Sequence, residues 1–241
     1  MNGVRRREIA KRIFAYEFNR STHRIKPEED KAPVYVLTPL GMRCNRVFVV
    51  GALLDKDEIK PDSGIWRIRV ADPTGAFFGY VGRFQPDALE SLMEIEPPEL
   101  VAIVAKIGVF ERDGRLFVSL RPESISVVDS ETRDYWIYET ALKTLERIKR
   151  MELKKDEDCK LAWQIYNPNL NEFRQMVKQA LASLKEEFEL IEEIEEEELK
   201  ERKEIEEVEF EKLKEKDELE EFEEEFEFEE EEWDLSDILG E

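Results

Sequence analysis

The sequence predicts a mainly β protein, a closed five-stranded barrel with flanking helices, and three observations carry that expectation. Between residues 46 and 128, runs of β-branched and aromatic residues alternate with turn residues. One short amphipathic stretch interrupts these runs, and a helix-periodic stretch follows them directly. Past that point the composition changes: residues 186–241 hold 31 Asp and Glu against 6 Lys and Arg, whereas residues 1–185 hold 28 acids against 31 bases. The net charge of −22 therefore belongs to the end of the chain. It does not argue against a polyanionic ligand for the mildly basic body.

At the N-terminus, residues 3–18 place Val4, Ile9, Ile13, Phe14 and Phe18 near one helical face and Arg5, Arg6, Arg7, Lys11 and Arg12 on the others. This spacing predicts a basic amphipathic helix that docks with a solvated face or touches phosphate. A polar connector, Asn19 to Asp30, leads to Tyr35, Val36 and Leu37, a clasp strand stopped by Pro39 and Gly41. Three successive strands follow in RVFVVGALL from Arg46, GIWRIRVADPTG from Gly64 and AFFGYVGRF from Ala76. Gly51 suggests a bulge in the first, and Asp72-Pro73-Thr74-Gly75 a tight turn between the second and third. Pro86 opens a short helix bearing Leu89, Leu92 and Met93, which Pro97-Pro98 ends. LVAIVAKIGVFE and RLFVSLRPESISVV then flank Arg112-Asp113-Gly114, a hairpin. Three meander strands, a helix and a hairpin give the element order of a five-stranded OB-fold barrel.

Beyond the barrel, residues 131–150 set Ile137, Ala141, Leu145 and Ile148 on one helical stripe with Trp136 and Thr140 beside it. A second helix, about 170–191, carries Phe173, Met176, Val177, Ala180, Leu181, Leu184 and Phe188. The Glu-rich remainder is low in complexity and self-repelling, which predicts an acidic, disordered tail. The expected organisation is residues 1–44 as N-terminal helix and clasp strand, 45–129 as barrel, 130–191 as a helical region and 192–241 as tail.

Enzymatic classes fare poorly. Cys44, Cys159 and the single histidine, His23, are too few for a four-ligand zinc site, and none of the common phosphate-loop or nucleophile motifs is present. The expectation is a binding protein without catalytic residues, metal or cofactor. The absence of a signal-like or bilayer-length apolar run and the scarcity of cysteine predict a soluble cytoplasmic protein with no membrane partner. Heavy Glu and Lys usage suits a thermophile.

In an OB fold the second and third strands form the face on which bases stack and along which basic residues follow phosphates. If Ile68 and Val70 point inward, alternation turns Arg67 and Arg69 outward. Phe77 then shares the outer face with Val81 and Arg83, while Phe78 and Tyr80 pack inside; a shift of one residue exchanges the sets. The candidate nucleic-acid residues are thus Arg67, Arg69, Arg83 and Phe77, with Arg121 on the last strand. The same residues suit a protein interface or, for the aromatics, the core.

Seven ordered segments, REIAKRIFAYEFN, APVYVLTPLG, NRVFVVGAL, VADPTGAFFGYVGRFQPDAL, EPPELVAIVAKIGVFE, LFVSLRPESISVVD and TRDYWIYETALKTLERI, resemble the archaeal replication protein A-associated proteins. The resemblance spans about residues 6–150 and does not reach the acidic end. It implies an OB fold, association with replication protein A subunits, single-stranded DNA bound directly or through the complex, and a role in replication and repair. It also implies that Trp136, Ile137, Ala141, Leu145 and Ile148 form an assembly helix, unless that helix packs on its own barrel. At the C-terminus, Trp233, Leu235, Ile238 and Leu239 break the Glu pattern at helical spacing and predict a docking peptide for a replication or repair factor. The leading expectation is an accessory subunit of a replication protein A complex. The alternative is a protein-interaction scaffold with an acidic recruiting or DNA-mimicking tail that does not itself bind DNA.

Overall fold

Five strands close on themselves in the computed structural model, which describes residues 8–25, 35–112 and 114–184. They are β5 (Arg46–Glu58), β6 (Trp66–Asp72), β7 (Gly75–Val81), β8 (Glu99–Arg112) and β9 (Arg115–Val127), in the spatial order β5-β6-β7-β9-β8, with β8 returning to β5. All neighbours are antiparallel except β7 and β9, which meet in parallel at Gly79 and Leu120. A mixed five-stranded barrel with this order, and with helix α2 (Pro86–Glu94) between its third and fourth strands, is an OB barrel. Residues 1–7, 26–34, 113 and 185–241 fall outside the description, and with them Val4, Arg5, Arg6 and Arg7 of the expected basic helix, Trp233, Leu235, Ile238, Leu239 and the predicted tail.

Sequence explains the closure. Inward positions on β5, β6 and β8 alternate as Val47 and Val49, Ile68 and Val70, Val101, Ile103 and Ala105, all buried. An added Cβ at Gly79 would lie 3.0 Å from Ile68 and 3.2 Å from the Cβ of Leu120, so glycine favours the close parallel approach of β9. Gly51 serves a similar end: an added Cβ would lie 2.2 Å from the carbonyl oxygen of Ala71, so β6 rests directly on it. The bulge expected at Gly51 falls between Leu53 and Asp55 instead. Lys56, beyond the bulge, donates to the carbonyl oxygens of Leu92, Met93 and Ile95 and so caps the C-terminal end of α2.

The N-terminal basic helix is not formed by the described residues of its span. Lys11–Arg12 form β1, parallel to Val47 and Phe48 of β5, and only Ala15–Phe18 make a helical turn, α1. Of the hydrophobes that gave the helical spacing, Ile13, Phe14 and Phe18 are fully buried plugs, whereas Ile9 is exposed. Phe14 meets Trp136 edge-on at 5.6 Å, and Phe18 meets Phe77 at 5.2 Å. Within the supposed polar connector lies β2 (His23–Ile25), which pairs with β3 (Tyr35–Leu37), the clasp strand; β4 (Arg43–Cys44) completes a three-stranded sheet.

Helix α3 (Ser130–Glu152) starts at Asp129, whose carboxylate accepts from the backbone of Thr132. Helix α4 (Glu157–Tyr166), capped by Asp156, was not anticipated, because its buried residues Cys159 and Ala162 are small. A further helix, α5, covers residues 170–184, with Phe173, Met176, Val177 and Ala180 buried. One buried ion pair binds these parts. Arg147 of α3 reaches Glu17 of α1 at 2.7 Å, and Glu17 also accepts from Thr38 at 2.6 Å. Removing one partner would strand the other charge, a loss of about 3–5 kcal/mol. No helix among the described residues is long and apolar enough to cross a membrane.

Candidate nucleic-acid interface

Strand pairing sets the outer surface of β5, β6 and β7 into rows. Asp57, Arg67 and Tyr80 make one, and Asp55, Arg69 and Phe78 the next. Arg67 and Arg69 do point outward, but each is held by a carboxylate from β5, at 2.9 Å to Asp57 and 2.6 Å to Asp55. The hydrogen bond that Arg67 donates to Asp57 raises the pKa of Arg67 above its ordinary value, a sign of charge already answered within the protein.

On β7 the expected facing is reversed. Phe77 is fully buried against Phe18, so it offers no stacking platform; Val81 is buried as well, while Phe78 is 43% exposed and Tyr80 half-buried on the outer side. Two adjacent phenylalanines carry no alternation of their own. The side that meets α1 decided between them.

A groove of about 750 Å³ opens next to these rows. It is lined by the β5–β6 connection at Ser63 and Ile65, by β8 near its hairpin at Val109 and Phe110, and by the end of β7 and the segment after it, Tyr80 to Gln85. Phe110 stacks on Phe117 at 5.6 Å and stands edge-on to Tyr80 at 6.3 Å, which makes a continuous aromatic strip from β7 to the hairpin. Phe84, 78% exposed, projects at the groove with Arg83 over its ring at 5.0 Å.

Three arginines line the groove: Arg83 after β7, Arg121 on β9 and Arg24 on β2. None has an ion-pair partner among the described residues. Of the sequence candidates, the fold thus brings Arg83 and Arg121 together, sets Arg67 and Arg69 on the adjoining face with aspartates, and places Phe77 inside. Arg24, Tyr80, Phe84 and Phe110 were missed. The turn residues around Arg83 and Phe84 and the aromatics near Gly114 mark loop ends, which was the available signal for three of them.

The predicted assembly stripe is also corrected. Trp136, Ile137, Ala141 and Ile148 are buried within this chain, and the indole of Trp136 donates to the carbonyl oxygen of Phe48 on β5 at 3.0 Å. That face seats α3 on its own barrel and on the N-terminal segment. Leu145 alone of the five is exposed, and it belongs to a second stripe with Tyr135, Tyr138 and Leu142, each 40–61% exposed. Their spacing of three, four and three residues is that of a helix-pairing seam.

No family model and no curated protein matches this sequence. Among solved structures, a replication protein A heterotrimer bound to ssDNA is similar at 14% identity over 58% of this chain and 98% of that one, with a TM-score of 0.42. The second single-stranded-DNA-binding protein of Mycobacterium smegmatis is similar at 14% identity over 35% and 87%, with a TM-score of 0.30. An OBody bound to hen egg-white lysozyme is similar at 17% identity over 52% and 98%, with a TM-score of 0.35. The chain is an OB-fold protein by its own strand order and parallel closure, with low-identity likeness to these proteins.

Proposed function

We propose that this chain binds single-stranded DNA in the barrel groove, as an accessory subunit of an archaeal replication protein A complex serving replication and repair. The observation that carries the binding role is the grouping of Arg24, Arg83 and Arg121, without carboxylate partners among the described residues, around the exposed ring of Phe84 and the Tyr80–Phe110 strip. Stacking surfaces next to unanswered positive charge suit a strand that offers bare bases and phosphates, and each stacked base is worth about 1–3 kcal/mol. The role is one of binding, with no group assigned to bond-making.

The subunit role is supported by the Tyr135–Tyr138–Leu142–Leu145 stripe, which no described residue covers. Lys143 of the same helix pairs with Glu146 at 3.0 Å beside this stripe, so the surface fits a partner helix with an apolar seam. Fluorescence anisotropy with labelled oligo-dT tests the first half: Arg83→Ala with Arg121→Ala weakens binding and flattens its salt dependence. Co-purification with replication protein A tests the second, and Leu142→Glu abolishes it. A chain that ignores DNA yet co-purifies is the interaction scaffold instead.

A further inference from the structure

We propose that the N-terminal sheet extends the groove into a second subsite, so that a single strand leaving the barrel passes over Arg24 and sets a further base against the β8–β9 hairpin. This inference rests on the DNA-binding reading above and specifies the path the strand takes.

A second cavity, about 360 Å³, adjoins the first. The two share Arg24 and Val109, so they abut beside β2 and the β8–β9 hairpin. Its walls combine apolar side chains, Val109, Leu116 and Ile165, with Thr22 and His23. Leu116 is 51% exposed at the hairpin. Apolar walls with a few hydrogen-bonding groups suit a planar base. The carboxylate of Glu111 on the same lining repels phosphate. Arg24, at the junction, is the cation on which the linking phosphate rests.

The subsite is pre-set. The backbone N–H of His23 donates to the Tyr166 hydroxyl at 2.8 Å, and that hydroxyl donates to the carbonyl oxygen of Leu37 at 2.7 Å. With Arg24 registered on Val36 across the β2–β3 ladder, this pins β2 to both β3 and α4. Ordering β2 therefore adds little entropic cost when DNA binds.

The test is anisotropy of the full chain with oligo-dT spanning about 4–16 nucleotides, the range of OB-fold site sizes. Affinity of the unaltered chain rises with length to a plateau. Leu116→Asp on the β8–β9 hairpin, and independently Ile165→Asp on α4, both lining the second cavity alone, move that plateau to shorter lengths. Each costs at least about fivefold on the longest oligonucleotides and under about twofold on the shortest. Arg24→Ala, at the junction of the two cavities, lowers the log–log salt slope by about 0.7, one phosphate. Losses equal at every length, or none, overturn the second subsite while leaving DNA binding in the barrel intact. Failure of the unaltered chain to bind any length overturns the underlying reading and the subsite together.

Discussion

The outer face of β5 and β6 and the groove beside it hold the same residue type in opposite electrostatic states. Arg67 and Arg69 stand on a regular strand, exposed and well placed by alternation, yet Asp57 and Asp55 one strand away answer their charge. Arg24, Arg83 and Arg121 come from three separate segments and lack a carboxylate partner among the described residues. A count of arginines on a sheet therefore overstates the charge available to a ligand. What matters is how many remain unpaired after the neighbouring strand is in place.

The comparison is broken most directly by removing the groove's rings. Phe84→Ala and Phe110→Ala should each lower affinity for oligo-dT by about 5- to 150-fold, following the worth of one stacked base. Phe78→Ala, on the paired face, should change it by less than about twofold. Next, the Arg83→Ala and Arg121→Ala pair should reduce the salt slope by about 1.4, two phosphates, in the titration that checks it.

Arg67→Ala with Arg69→Ala should leave the slope nearly unchanged. Asp55→Asn with Asp57→Asn should steepen it by up to about 1.4 by freeing both cations. A large loss on removing Arg67 and Arg69 would show that their aspartates yield to DNA and that the two regions act as one.

The smallest effect concerns the turn joining β6 to β7. Burial pushes the Asp72 carboxyl up to about 6, against hydrogen bonds from the Ala15 and Thr74 backbones that pull it down. The folded chain thus holds this proton more tightly than the unfolded one, whose value lies near 3.9. Its contribution to stability is complete below about 3.9 and disappears as pH rises through about 6. Urea midpoints at pH 4 and pH 7 should differ in that direction, and Asp72→Asn should reduce the difference.

The barrel was legible because its signals are local: period-two runs, Pro86 opening α2, and turn residues at Asp72–Gly75 and Gly114. What escaped depends on distant partners. Ile13, Phe14 and Phe18 have helical spacing, yet burial against distant partners such as Trp136 and Phe77 dictates where they go. The pair Phe77-Phe78 has no pattern to orient it. Helix α3 carries two apolar faces, and the sequence cannot tell which one the barrel takes. Arg24 was the least visible, since its strand exists only because residues 35–37 pair with it. For the groove, Arg83 and Arg121 were within reach of strand counting, whereas most of its aromatic lining was not.

The buried Glu17–Arg147 pair, with Thr38 as its third member, limits how the protein can be dissected. A minimal fragment cut at residue 45 would shed both Glu17 and Thr38 and, wherever α3 is retained, leave a guanidinium facing the interior with nothing to balance it. Shortening α3 to avoid that would uncover Phe48 and the flank of the barrel beneath Trp136. Deletion series should therefore keep residues 8–152 together, and inactivity of a bare barrel would report its collapse rather than the loss of a ligand contact.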